Sequence, residues 1–242
     1  MVSLGKRPPS SRFPFRGWSF LYIPSCTGDV HVGDAVARYG PTTIRHRGWV
    51  NARAAIRRAF SEFPSPETVF VTGCSAWSVG SAFHVPAVID HWPRAKVTQL
   101  GDSLAFVFHR PVNLSGWGAH KRLPAFFRIG NRRFTMVEYL TALAKRYPRR
   151  TFARFNYASD GVQDRFYVAV GGKPGGFEPR LRRAETRLKR LRNYRSYLAC
   201  GTDHCVLPRP TFFTLRVGGV AVRDWAHRLA AGRNVGCPTC RR

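Results

Sequence analysis

The chain has 242 residues, 40 Lys+Arg against 13 Asp+Glu and a formal net charge of +27. With 44% hydrophobic and 13% aromatic residues it can bury a sizeable core, which excludes a disordered polyelectrolyte. No apolar run reaches the roughly 18 residues that a membrane-spanning helix needs, and residues 1–17 hold charge and three prolines without the apolar stretch of a secretory signal peptide.

Residues 1–17 read as an exposed lead-in, and 18–242 as one domain, since no internal repeat or linker divides them. Residues 18–24 are a short apolar run that predicts a buried strand. The polar, glycine-containing loop that follows runs through Cys26, Asp29 and His31. Over 51–63, Ala54, Ala55, Ile56, Ala59, Phe60 and Phe63 recur at helical spacing, and Pro64 and Pro66 end the helix.

From 68 to 83 a β-branched strand turns sharply at Gly73 and continues as a helix of small residues. Further strands are expected at 96–100, 151–157 and 194–200, helices at 135–147, 178–195 and 222–231, and a hairpin around Gly218 and Gly219. Strands alternating with helices predict a mostly parallel α/β sheet flanked by helices. The 178–195 helix, with Leu181, Ala184, Leu188 and Leu191 on one face and Arg elsewhere, reads as an outer helix covering that sheet. Of the 40 basic residues 34 are Arg, spread along the whole chain, which argues a surface property rather than a focused nucleic-acid patch.

A serine on a strand-to-helix turn is the arrangement that exposes a nucleophile above a sheet, with the helix N-terminus favouring developing negative charge. Ser75 fits it. Gly73 stands two residues before it, while Trp77 occupies the second glycine place. Acyl transfer by serine needs a histidine base and a carboxylate to orient it, and α/β-hydrolases supply them in the chain order Ser, acid, His. Ser75, Asp160 and His204 satisfy that order, each at the end of an expected strand. Asp102 is the rival acid, with Asp164 and Asp203 also close in sequence. His31, His46, His84 and His109 read as loop or core histidines. Four cysteines, Cys200, Cys205, Cys237 and Cys240, cluster near the C-terminus, in a spacing that allows disulfides or a zinc site.

The segments Tyr22-Ile-Pro-Ser-Cys-Thr-Gly-Asp-Val-His31, His46-Arg-Gly48, Val71-Thr-Gly-Cys-Ser-Ala76, Asp160-Gly-Val-Gln163, Ala199-Cys-Gly-Thr-Asp-His204 and Asp224-Trp225 together resemble the pectin acetylesterase family. These are pectinacetylesterase- and Notum-like serine carboxylester hydrolases, and the resemblance is closest to the bacterial branch. It implies an α/β-hydrolase-like fold lacking its N-terminal strands, with Ser75 as nucleophile, Asp160 as acid, His204 as base and the Ala76 N–H as an oxyanion donor. Asp29, His31, Trp77 and Gln163 are pocket candidates, Gln163 through its place beside Asp160. The resemblance also implies disulfides among Cys200, Cys205, Cys237 and Cys240, a secreted protein, no metal and no cofactor. Cys74 reads as a buried thiol, and Cys26 as a cysteine without its partner.

The family's Gly-rich oxyanion segment lies upstream of the first strand and is absent here, which leads to the expectation of N-terminal truncation and weakened turnover. Trp77 is expected either to push the nucleophile helix from the sheet, to fill part of the acyl pocket, or to occupy space left by the absent segment. The resulting reading is hydrolysis of an O-acyl ester, O-acetyl by preference, on an acylated substrate such as a polysaccharide. The alternatives are an inactive remnant or binding protein of the same fold, and a basic nucleic-acid-binding protein.

Overall fold

A computed structural model describes residues 3–4, 13–110, 112–128 and 134–241. Its centre is a four-stranded parallel sheet of β5 (Thr68–Cys74), β6 (Lys96–Asp102), β7 (Thr151–Tyr157) and β8 (Tyr194–Ala199), in that spatial order. Each strand is followed by a crossover that returns to the sheet's starting edge, so all four end on the same side. The register sets Cys74 opposite Asp102, Asp102 opposite Phe155 and Tyr157 opposite Ala199. The four strand ends therefore lie side by side, with β6 between the strand that leads to Ser75 and the strands that lead to Asp160 and His204.

Side chains alternate between two apolar layers, as a strand's two-residue period requires. Val69 and Val71 of β5 and Phe152 of β7 enter one core with Ile56, Phe83, Val85, Leu140 and Leu143. Those partners come from α1 (Gly48–Glu62), α2 (Ala76–His91) and α3 (Met136–Arg146). Phe70, Phe155 and Tyr197 point the other way, into a core with Leu181 of α5 (Phe177–Leu188) and with Trp225 and Leu229 of α6 (Val222–Ala230). α4 (Gly161–Ala169) follows β7 at the strand-end side. Three short pairings complete the fold: β1 (Ser3–Leu4) with β2 (Leu21–Tyr22), β3 (Ala35–Tyr39) with β4 (Thr42–His46), and β9 (Arg216–Val217) with β10 (Val220–Ala221), the expected hairpin at Gly218 and Gly219.

Two expected elements differ. Of residues 18–24 only Leu21 and Tyr22 form a strand, and none of the seven is buried, because the aromatics of this stretch lie along the sheet's flank instead of entering it. Phe15 is buried, stacking on Phe70 of β5, while Arg16 and Gly17 are exposed and residues 5–12 lie outside the described residues. The helix expected over 178–195 stops at Leu188. Tight turns from Arg190 N–H to the Arg187 carbonyl and from Leu191 N–H to the Leu188 carbonyl keep Leu191 against the core without helical backbone.

Candidate active site

Ser75 caps α2 with φ 56° and ψ −119°, a left-handed conformation that a non-glycine residue holds only when its surroundings enforce it. Its N–H donates to the Asp102 carbonyl at 2.8 Å, and its own carbonyl accepts from the Ser78 N–H at 2.9 Å and from the Ser78 hydroxyl. Gly73 makes this turn possible: a Cβ there would lie 2.3 Å from the Trp77 carbonyl oxygen, so any side chain would drive the strand and the helix's first turn apart. Ala76 is the first residue of α2, where backbone N–H groups have no intrahelical acceptor and the helix dipole is positive.

Trp77 leaves that close approach intact. Its indole N–H donates to the Ile23 carbonyl at 2.8 Å, and its ring lies against Tyr22 and His31. The helix is not pushed from the sheet; the indole fastens residues 22–31 over the start of α2.

Asp160 follows β7 and caps α4, where its fully buried carboxylate accepts from the N–H groups of Val162 and Gln163. Its other partners are the Gln163 side-chain amide at 2.9 Å and His204 Nδ1 at 2.8 Å. Burial alone would raise this carboxyl, but the hydrogen bonds from His204 and Gln163 outweigh it and hold it below its ordinary value. Asp160 is therefore ionised at neutral pH, and the pairing at Nδ1 presents Nε2 of His204 as the free base. The His204 side chain is 16% exposed, open on one side to an incoming molecule. The Ser75 hydroxyl makes no hydrogen bond among the described residues, a looseness that serine sites close when substrate arrives.

The remaining candidates fall elsewhere. Gln163 bridges rather than lines a pocket: its oxygen accepts from the Ala105 N–H at 2.9 Å while its amide holds Asp160. Asp29 is buried in its own loop, accepting from the N–H groups of His31 and Gly48 and from the Thr27 hydroxyl. His31 is buried with φ 67°, and burial lowers its pKa. His84, also buried, has its Nε2 2.8 Å from the His31 carbonyl. Of the rival acids, Asp164 and Asp203 make no bond to His204, and Asp102 holds backbone rather than imidazole.

The disulfides differ from expectation. Cys74 pairs with Cys205, and Cys200 with Cys240, while Cys26 and Cys237 are free. Cys74 is thus no lone thiol, and Cys237 does not share the bonding of its cluster. Three of the four sulfurs that could have served zinc are oxidised. The Cys74–Cys205 bridge joins the residue before Ser75 to the residue after His204, with Cα atoms 5.8 Å apart across 131 residues of sequence. A cysteine immediately before Ser75 and another immediately after His204 were a signal in the sequence for this pairing. The two concavities of about 340 and 510 Å³, by contrast, lie along α2 away from its Ser75 end, one lined by Asp90, Tyr147 and Arg150 and the other by Trp49, Phe60 and His91.

A family sequence described as Pectinacetylesterase matches residues 8–118, a span that contains Gly73, Ser75, Trp77 and Asp102. Over that span the chain is similar to the pectinacetylesterase family, and the match supports a carboxylic ester hydrolase. Asp160 and His204 lie beyond the match, after β7 and β8, at the same end of the sheet as Ser75. No curated protein shows a matching sequence. Among solved structures the chain is similar to the Wnt deacylase Notum from Drosophila, at 12% identity and a TM-score of 0.59, covering 92% of this chain and 71% of that one. A second crystal form of the same protein aligns at 15% identity with a TM-score of 0.49, covering 91% and 71%. At such identity the likeness shows the fold, which is α/β-hydrolase-like.

Proposed function

We propose that this pectinacetylesterase-like chain is a serine hydrolase of O-acyl esters, O-acetyl by preference, working through an acyl-serine intermediate. The observation that carries the reading is the juxtaposition at the parallel strand ends: a serine in a strained strand-to-helix turn, tied through Cys74–Cys205 to a histidine whose Nδ1 is held by a buried carboxylate.

In the first half-reaction the Ser75 Oγ attacks the ester carbonyl carbon as its proton passes to His204 Nε2. Negative charge gathers on the carbonyl oxygen, where the Ala76 N–H at the positive end of α2 donates. Asp160 stabilises the imidazolium without taking its proton. Collapse expels the alkoxide, which takes that proton and leaves as the alcohol. Water then attacks the acyl-serine by the same route, releasing the acid and restoring Ser75. The family relation favours an acylated polysaccharide as the natural substrate and a secreted protein as its setting, in keeping with two disulfides. No described helix is long and apolar enough to cross a membrane.

The test is turnover of a short-chain aryl acetate. Ser75→Ala should reduce kcat by on the order of 1000-fold or more while the protein stays folded, and a fluorophosphonate should label Ser75 in the wild type alone. Equal turnover by both proteins would remove Ser75 from the mechanism. Inability to hydrolyse any ester or react with the probe would favour the inactive binding protein of the same fold.

A further inference from the structure

Between the serine and the histidine stands a carboxylate the reaction does not consume. Asp102 ends β6, between the strand carrying Ser75 and the strand leading to Asp160, and is fully buried. Its main-chain carbonyl accepts from the Ser75 N–H at 2.8 Å. Its side chain accepts from the Val206 N–H at 2.9 and 3.1 Å and from the Leu207 N–H at 2.8 Å. The next residue continues the row, the Ser103 hydroxyl accepting from the Cys205 N–H at 2.8 Å. Three consecutive N–H groups immediately after His204 are thus seated on one strand end, and the same residue grips the nucleophile's backbone.

We infer that Asp102 is a positioning residue, whose carboxylate fixes the His204 loop and so sets the approach of the imidazole to Ser75. The inference rests on the serine-hydrolase reading for its consequence but not for its geometry. Two devices bracket it. Cys74–Cys205 ties the loop to β5 at one point, and the turn after Ser103 is fastened from below, where the guanidinium of Arg154, paired with Glu185, donates to the Leu104 and Ala105 carbonyls. Ser103 itself has φ 54°, a second strained residue beside the first. A disulfide permits rotation about its bonds; two carboxylate oxygens receiving adjacent N–H groups permit far less, which is what a base aimed at a hydroxyl requires.

The groups that act electrostatically on Asp102 are His204 from the loop after β8, Asp160 from the end of β7, and Tyr157 on β7. Burial dominates and pushes the carboxyl up to about 7, with Asp160 adding to the rise and the two N–H groups and His204 opposing it. Ionisation completes the clamp, because protonation of Oδ1 would turn one of the acceptors facing the Val206 N–H into a donor and leave Oδ2 alone to hold Val206 and Leu207.

The experiment is the variant Asp102→Asn, whose amide nitrogen replaces one of the two acceptor oxygens, with Ser103→Ala as a milder companion that removes only the acceptor for Cys205. Asp102→Asn should lower kcat for the aryl acetate on the order of 100-fold, the cost of a base displaced by about 1 Å, while KM stays within about threefold. Its kcat/KM should also rise through one ionisation fewer than the wild type does. A purely structural role would lower the folded fraction and leave both the KM-to-kcat split and the pH profile unmoved. An unchanged kcat and pH profile in a folded Asp102→Asn protein would overturn the inference. If that variant does not fold, Ser103→Ala decides, an unaltered kcat again counting against it. Hydrogen exchange of the backbone N–H groups of residues 205–207 gives a readout without turnover. Faster exchange in the variant of an inactive wild type would sink the esterase reading and keep the clamp, and unchanged exchange would sink both.

Discussion

Burial favours the neutral form of both His84 and Asp102, and so moves their pKa values in opposite directions. His84 lies in α2 with Nε2 against the His31 carbonyl and its ring on Trp49, and burial lowers its pKa from 6.5 to about 4. Because the folded value is depressed, its contribution to stability is intact above 6.5 and is lost as pH falls toward 4, by about 3 kcal/mol in all. Asp102 has the opposite sign. Its folded value of about 7 exceeds an ordinary carboxylate's 3.8, so its contribution is full below 3.8 and is lost as pH rises through 7. Between pH 4 and 6.5 the two slopes oppose each other. The wild-type denaturation midpoint should therefore change less with pH across that window than that of Asp102→Asn, which should climb with pH because the slope of His84 remains, with His31 adding in the same direction. Guanidinium melts at pH 4.5, 5.5 and 6.5 measure this, and parallel curves for the two proteins would refute the assignment. The ionised Asp102 that orders the His204 loop is thus the form that the fold holds at a cost in stability, a trade common where backbone and charge are constrained for chemistry.

At the scale of elements, the Cys74–Cys205 bridge closes a loop of 131 residues between the end of β5 and the loop after β8. A cross-link of that span restricts the unfolded chain strongly, and its removal costs about 2–5 kcal/mol. The double variant Cys74→Ser/Cys205→Ser should lose stability in that range by chemical denaturation. The part of the protein that remains folded should keep measurable esterase activity, since Asp102 and Ser103 still seat residues 205–207; abolition of turnover in folded protein would make the bridge, and not the strand end, what positions His204. This bridge also marks the limit of what the sequence makes legible. The β5–α2 turn is readable because a β-branched run meets Gly73 and small residues follow, a local signal with a steric cause. The strands expected at 96–100 and 151–157 are readable as short runs with apolar residues that end in loop residues, the first extending to Asp102 in the fold. The order Ser75, Asp160, His204 is readable because strand ends alternate with helices. What escapes reading is held by partners distant in sequence: Cys74 finds Cys205, Gln163 finds Ala105, and the Asn193 amide donates to the carbonyls of Ala144, Tyr147 and Arg150. The β3–β4 hairpin carries no apolar alternation, since Val36 and Tyr39 face solvent, and so leaves no periodic trace.

For the whole molecule the charge is the governing quantity. Several acids are already engaged in specific contacts: Asp34 with Arg47 and Arg122, Glu185 with Arg154, Glu62 with Arg58, and Asp160 with His204. Even complete pairing would leave 40 − 13 = 27 cations without a carboxylate. A domain of this length has a radius of gyration of about 18 Å. At 0.01 M salt the screening length of about 30 Å exceeds that radius and every cation repels every other, whereas at 1 M it is about 3 Å and only immediate neighbours interact. Compactness concentrates the repulsion that an unfolded chain relieves, so salt should stabilise the native state. The melting temperature is expected to rise by several degrees between 0.01 and 0.3 M NaCl, the scale that 1 to 2 kcal/mol produces in a domain of this size. KCl at equal ionic strength should act identically, which separates screening from specific ion binding. A melting temperature that falls with salt would mean that the surface ion pairs, individually worth little, outweigh the excess of 27 charges, and would reverse the sign of the electrostatic contribution to this fold.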